Sequence, residues 1–183
     1  MFRKTIGLIT LLLMLSSTLM AGQPSSWTDV VRQHLPLLGH RNWIVIVDSA
    51  YPLQVAPGIE TVYAPGNQLT VVSEVLNALG KTRHVKPTIY IDAELKHVAE
   101  ADAPGVGDYR DGLKEVLKGL SPEVLPHEAI IRKLDEAGKT FKVLVIKTPL
   151  TIPYTSVFLQ LECGYWNAEA EQRLRDAVQA QKQ

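Results

Sequence analysis

Cysteine and the residue spacings that bind metals are almost absent from this sequence. Cys163 is the only cysteine, so it has no partner for an internal disulfide bond, and we interpret it as a small buried apolar side chain rather than a nucleophile. The five histidines are scattered, and neither CxxC nor HExxH occurs. The sequence therefore predicts no metal site, and a hydrophobic core has to stabilise the fold.

The sequence also lacks an excess of charge and the glycine-rich loops that bind phosphates. It has 19 basic and 19 acidic residues, which gives no electrostatic reason to expect nucleic-acid binding. Neither GxGxxG nor the P-loop pattern follows an apolar run, so we predict no dinucleotide or nucleoside triphosphate site.

Long apolar runs occur only at the start of the chain. Arg3 and Lys4 precede an apolar stretch over residues 6–15 and then small polar residues, which is the layout of a secretory signal peptide. The apolar stretch is shorter than the roughly 20 residues of a membrane-spanning helix. We predict a signal peptide over residues 1–21, a periplasmic or secreted location without stable membrane insertion after cleavage, and one domain over residues 22–183. An uncleaved N-terminal anchor is the alternative.

Short apolar runs alternate with amphipathic segments along the rest of the chain. The runs NWIVIV, PTIYID, KVLVIK and SVFLQL have the length of strands, and segments such as QLTVVSEVLNALG carry apolar residues at helical spacing. This alternation predicts an α/β fold with a mostly parallel sheet between helices, a three-layer α/β/α domain. Ligands of such sheets bind outside the carboxyl ends of strands, where Asp48, Asp92 and Thr148 stand.

Several side chains near predicted strand and helix ends could carry protons. Asp48 ends the strand NWIVIV, His40 precedes it, and His127 opens a helix. Structurally, Asp48 could cap a turn, His40 could bind the last carbonyls of a helix, and His127 could be a surface residue. Functionally, histidine exchanges protons near neutral pH and a carboxylate can orient it. His40 and Asp48 meet in one subunit only if the chain folds back; otherwise a neighbouring chain supplies the partner.

The order of several short motifs resembles that of the D-ribose pyranase / L-fucose mutarotase (RbsD/FucU) family. No single motif is specific, and the resemblance rests on their order and spacing from about Trp27 to Trp166. The motifs are LGH (38–40), Asp48 at a strand end, IDAELK (91–96), HE (127–128) at a helix start, Tyr154 before the last strand, and LECGYW (161–166).

The resemblance implies a fold, an assembly and a reaction. It implies an α/β fold in ring-like homo-oligomers with sugar sites between subunits, and interconversion of the cyclic forms of free monosaccharides without cofactor or metal. By matching position, it implies a site of His40, Asp48, His127 and Tyr154. The family has asparagine two residues after the tyrosine, whereas Ser156 stands there in this chain. A hydroxyl offers fewer hydrogen bonds than an amide, so we expect altered sugar recognition and weakened or absent catalysis in this exported, divergent member.

Histidine and aspartate suit this reaction because ring opening needs one base and one acid. The base takes the proton of the anomeric hydroxyl, and the acid protonates the ring oxygen as the C–O bond breaks. We expect His40, supported by Asp48, to be one acid/base and His127 the other, with Tyr154 and Ser156 binding the sugar. The alternatives are an exported sugar-binding module of the same fold without turnover, and an exported scaffold acting through protein contacts.

Overall fold

The computed structural model describes residues 26–181, and the signal peptide predicted over residues 1–21 lies outside this part. Within residues 26–181, no helix is long and apolar enough to cross a membrane. The elements in chain order are α1 (Trp27–His34), β1 (Trp43–Val47), β2 (Ile59–Tyr63), α2 (Gln68–Gly80), β3 (Val85–Asp92), a 3₁₀-helix (Ala93–His97), α3 (Val106–Val116), β4 (Glu123–Leu125), α4 (His127–Gly138), β5 (Val143–Lys147), β6 (Val157–Cys163) and α5 (Ala168–Ala180).

The six strands of the described part form one sheet in the order β2-β5-β1-β6-β3-β4. β5 pairs in parallel with β1 and β2, and β3 pairs in parallel with β4, whereas β6 is antiparallel to its neighbours β1 and β3. The prediction of a mostly parallel sheet is confirmed. β6 reverses because residues 148–156, which join it to β5, contain no helix that could carry the chain back across the sheet.

Alternate residues of the central strand β1 enter two different cores. Ile44 and Ile46 pack with side chains of α1, α2 and α3 on one face of the sheet. Trp43, Val45 and Val47 pack with α4 on the other face. The run is apolar on both sides because both faces of its strand are covered. This arrangement confirms the three-layer α/β/α fold.

The strand directions gather several chain segments at one end of the sheet, which we call the carboxyl edge. Asp48 follows β1, Asp92 ends β3, and His127 opens α4 just after β4. Because β6 is antiparallel, residues 148–156 before it lie at this edge too. The opposite end, the amino edge, carries residues 39–42 before β1 and the last residues of β6.

Two features of the structure differ from the sequence pattern. The pattern does not predict β4, because its three residues are too few for a periodicity to show. Cys163 is half-buried at the end of β6 rather than fully buried. β4 matters for the site, because its parallel pairing with β3 brings the start of α4 to the carboxyl edge.

Candidate active site

One cavity at the carboxyl edge brings together four of the five side chains predicted for the site. It has a volume of about 510 Å³, and Asp48, His127, Tyr154 and Ser156 line it. The segment after β1, the first turns of α4 and the segment before β6 form its walls. Small-molecule sites have volumes of roughly 300–1,000 Å³, so the cavity is large enough for a free monosaccharide.

His127 is held through both its main chain and its side chain. Its backbone N–H donates to the two carboxylate oxygens of Glu94, each at 3.0 Å. Its Nδ1 atom lies 3.0 Å from Oδ1 of Asp92, and 29% of the side chain is exposed. Since Asp92 occupies Nδ1, Nε2 is the ring nitrogen left for a ligand.

Asp92 places a carboxyl group in the interior beside this histidine. Its side chain is fully buried, and its Oδ2 atom has no hydrogen-bond partner among the described residues. Burial raises the pKa of Asp92 to about 6, and the hydrogen bond with His127 opposes part of this rise. A buried carboxyl group that has a raised pKa and contacts a histidine is typical of sites that transfer protons.

Tyr154 forms the rim of the cavity next to His127. The two rings meet edge to face, with centroids 5.6 Å apart and planes at 82°. Tyr154 has a φ of 58°, a left-handed conformation that costs free energy for residues other than glycine. This strained backbone presents a half-exposed phenol to the cavity, where it can contact a sugar.

Asp48 and Ser156 line the same cavity from the ends of two neighbouring strands. Oδ1 of Asp48 accepts a hydrogen bond from the N–H of Ala50 at 2.7 Å, so the structural interpretation of Asp48 as a turn cap is correct. The residue nevertheless lines the cavity. Ser156 is 3% exposed, and its hydroxyl occupies the place where the resemblance implies an amide.

A buried polar network supports the segment that carries Tyr154. Gln68 of α2 donates to the carbonyl of Thr155 at 2.6 Å and to the hydroxyl of Tyr109 at 3.1 Å. Tyr109 also donates to the Thr155 carbonyl at 2.7 Å, and the Thr148 hydroxyl donates to Oε1 of Gln68 at 2.6 Å. Because buried polar groups are costly without partners, this network anchors Thr148 and Thr155 near the two ends of the segment that precedes β6.

His40 lies at the amino edge, away from the other predicted site residues. β1 separates it from Asp48, and a strand of five residues spans roughly 16 Å. Its Nδ1 atom lies 2.7 Å from Oε2 of Glu162, with 51% of the histidine side chain and 31% of the glutamate side chain exposed. Within one protomer, Asp48 does not support His40.

The cavity offers groups that exchange protons and form hydrogen bonds. They are an imidazole, carboxyl groups, a phenol and hydroxyls, which are the groups of general acid–base catalysis. Across residues 26–181, no three His, Cys, Asp or Glu side chains come together in a group that could hold a metal ion.

Searches with the sequence gave no match, either among protein-family models or among curated proteins. Among solved structures, the chain is similar to Bacillus subtilis RbsD complexed with D-ribose. The TM-score is 0.53 at 19% identity, over 77% of this chain and 97% of RbsD. It is also similar to FucU from Bifidobacterium longum, with a TM-score of 0.50 at 16% identity, over 73% of this chain and 94% of FucU. The chain has the RbsD/FucU fold.

The RbsD/FucU fold confirms the fold that the resemblance implies. A fold hosts different activities, however, so the function has to be argued from the site. Asp92 is the site residue that the sequence analysis did not assign. The sequence feature that pointed to Asp92 was its position at the carboxyl end of a strand, because the carboxyl ends of parallel strands lie at the same edge of the sheet.

Proposed function

We propose that this protein is a divergent, exported member of the RbsD/FucU family that interconverts the cyclic forms of a free monosaccharide. It does so by acid–base ring opening without a cofactor. The observation that carries this proposal is the convergence of His127, Asp48, Tyr154 and Ser156 on one cavity of about 510 Å³. The ribose in the related Bacillus subtilis structure supports a sugar as ligand.

The reaction requires two proton transfers and no other chemistry. A base removes the proton of the anomeric hydroxyl while an acid protonates the ring oxygen, which gives the open-chain aldehyde. Closure on either face, or through another hydroxyl, reverses both transfers and yields a different cyclic form. Each positioned proton carrier contributes roughly 10²–10⁴-fold to the rate, which is sufficient for a reaction that also proceeds slowly in water.

His127 is one proton carrier in this proposal, because its Nε2 atom remains free for a ligand. Tyr154, which meets His127 edge to face, binds the sugar through its hydroxyl or packs on the ring. Ser156 takes part in sugar recognition. Asp48 contributes its carboxylate to the same cavity.

His40 is the second proton carrier only if another copy of the chain supplies it. It lies at the amino edge and is half-exposed, so it is accessible to a neighbouring copy. A head-to-tail contact between the two edges brings the neighbour's His40 to Asp48, and repetition of such a contact closes a ring. We therefore propose a homo-oligomer with its sites between subunits.

NMR exchange spectroscopy on D-ribose, L-fucose and other free sugars tests the reaction. We expect faster exchange between cyclic forms with the protein than in buffer, and no acceleration with His127→Gln. The absence of acceleration for every sugar rules out the enzyme. The matched control is His97→Asn, which changes an exposed histidine outside the cavity.

Mixing two inactive variants tests whether the sites are shared. Oligomers assembled from equal amounts of His40→Ala and His127→Gln chains regain about one quarter of the wild-type activity if each site combines residues of two subunits. Recovery does not occur if each protomer holds a complete site.

Ser156 favours a second candidate function, an exported sugar-binding module without turnover. Its hydroxyl provides one donor, whereas an amide provides two donors and a carbonyl acceptor. Fewer hydrogen bonds then hold the sugar during ring opening. If calorimetry detects sugar binding and NMR exchange spectroscopy detects no catalysis, the protein is a sugar-binding module.

Export itself rests on the composition of residues 1–21. Fractionation of expressing cells, with the mass of the mature protein, tests it. We expect a chain that lacks about the first 21 residues outside the cytoplasm. A full-length chain that remains in the cytoplasm contradicts the proposal.

A further inference from the structure

We propose that Asp92 and Glu94 form a positioning device that fixes both the ring tautomer and the backbone of His127, so that an unprotonated Nε2 faces the cavity. The catalytic consequence rests on the proposed function, but the tautomer does not depend on any sugar.

The side-chain contact determines which ring nitrogen carries the proton. An ionised carboxylate only accepts hydrogen bonds, whereas neutral imidazole has one donor and one acceptor nitrogen. Asp92 Oδ1 lies 3.0 Å from Nδ1, so Nδ1 has to be the donor when Asp92 is ionised. Nε2 then keeps a lone pair directed away from Asp92, as a general base requires.

The contact between Glu94 and the backbone N–H of His127 fixes the position of the main chain from which the imidazole ring extends. α4 has Pro126 at its N-cap position, which provides no side-chain cap. Both oxygens of Glu94 instead accept the N–H of His127, the first residue of the helix. A carboxylate at a helix N-terminus is favourable, and here it comes from the 3₁₀-helix that follows β3.

Strand pairing ties both contacts to the sheet. Asp92 lies opposite Leu125 in the parallel pair of β3 and β4, and His127 follows Leu125 by two residues. The segment from Asp92 to Glu94 is thus held beside the start of α4 by the strand ladder. Side chains that lie on helices and strands hold a site more precisely than side chains that lie on loops.

The cost of this arrangement supports a functional role. Asp92 is fully buried and its Oδ2 atom has no hydrogen-bond partner among residues 26–181. A buried carboxylate oxygen that lacks a partner destabilises the folded state. A carboxyl group buried at such a cost is more typical of a functional site than of a position that only serves stability.

The ¹⁵N NMR spectrum of the imidazole rings tests the proposal without sugar. At pH 8 we expect the wild-type His127 to be protonated at Nδ1 and unprotonated at Nε2. Asp92→Asn should give a mixture of tautomers, because the amide can either donate or accept. A wild-type His127 protonated at Nε2, or an unchanged tautomer in Asp92→Asn, overturns the proposal.

Glu94→Gln and Glu100→Gln form a matched pair for the backbone contact. Glu100 accepts the N–H groups of Gly105 and Gly107 at the start of α3, so its substitution likewise replaces one accepting carboxylate oxygen at a helix start with an NH₂ donor. We expect Glu94→Gln to perturb the His127 resonances and Glu100→Gln to leave them unchanged. Equal perturbation by both variants contradicts a specific role for Glu94.

Sugar exchange then separates this proposal from the proposed function. If the wild type is active, Asp92→Asn should lower kcat by about 10- to 100-fold, with little change in KM, because it impairs only the proton transfers at His127. Wild-type kcat in Asp92→Asn overturns the role of Asp92. If the wild type has no activity, the proposed function fails while the tautomer experiment still decides the positioning.

Discussion

The two edges of the sheet each pair a histidine with a carboxylate, and the pairs have similar geometry but different surroundings. At the carboxyl edge, Nδ1 of His127 lies 3.0 Å from a carboxylate that is fully buried. At the amino edge, Nδ1 of His40 lies 2.7 Å from Glu162, whose side chain is 31% exposed. The shorter contact is the weaker constraint, because water competes for both of its partners.

Burial therefore decides what each pair can do. Exposed ion pairs contribute about 0–1 kcal/mol to stability, and both side chains remain free to form other contacts. A buried carboxylate cannot exchange its partner for water, so it holds its histidine in one orientation. The histidine at the carboxyl edge is therefore held in place, whereas the histidine at the amino edge is free to form other contacts. Four predictions test this contrast.

The largest expected effect is the loss of sugar exchange in His127→Gln. Glutamine keeps hydrogen-bonding groups but does not transfer protons at neutral pH, so we expect the rate to fall by about 10²–10⁴-fold. NMR exchange spectroscopy measures it, with His97→Asn as the control. If His127→Gln retains full activity, the carboxyl edge does not carry the chemistry.

The free energy of unfolding should depend on pH because of the raised pKa of Asp92. Its pKa is raised to about 6 in the folded protein, so the folded state binds the proton more tightly than the unfolded state does. The stabilisation from protonated Asp92 is complete below about pH 4 and is lost as the pH rises through about 6, a change of about 3 kcal/mol.

Urea unfolding of the wild type and Asp92→Asn between pH 4 and pH 8 measures this change. We expect the variant to gain stability relative to the wild type as the pH rises. A difference that does not vary with pH would show that Asp92 is not perturbed by burial.

Gln68 should stabilise the segment before β6, which lies at the carboxyl edge, through its buried hydrogen bonds. Gln68→Leu removes three buried hydrogen bonds around the segment before β6, and unpartnered buried groups cost about 1–3 kcal/mol. We expect the free energy of unfolding to fall by this amount, together with a loss of sugar affinity as Tyr154 moves. Unchanged urea unfolding would contradict a supporting role for the network.

The smallest effect is expected for the amino-edge pair. Glu162→Gln should change the free energy of unfolding by less than about 1 kcal/mol, since both partners of the His40–Glu162 contact are partly exposed to water. A loss of several kcal/mol in urea unfolding would show that the two edges do not differ as described.

The sequence allowed most of the fold and part of the site to be predicted. The central strands are unmistakable because NWIVIV and KVLVIK are apolar on both faces. Asp48, His127, Tyr154 and Ser156 line one cavity, as the resemblance implies for residues of one site, and their roles remain predictions. β4 and the reversed β6 are set by pairing between distant segments, which local patterns do not record.

The class of the fold and the positions at which strands end could be predicted from local sequence patterns. Hydrophobic periodicity is local, and it places Asp48, Asp92 and the start of α4 at element ends whatever the rest of the chain does. Which of these ends meet depends on the tertiary fold. The pairing of β3 with β4 put Asp92 beside His127, and the length of β1 kept His40 at the opposite edge, because a side chain's partner depends on packing between segments far apart in the chain.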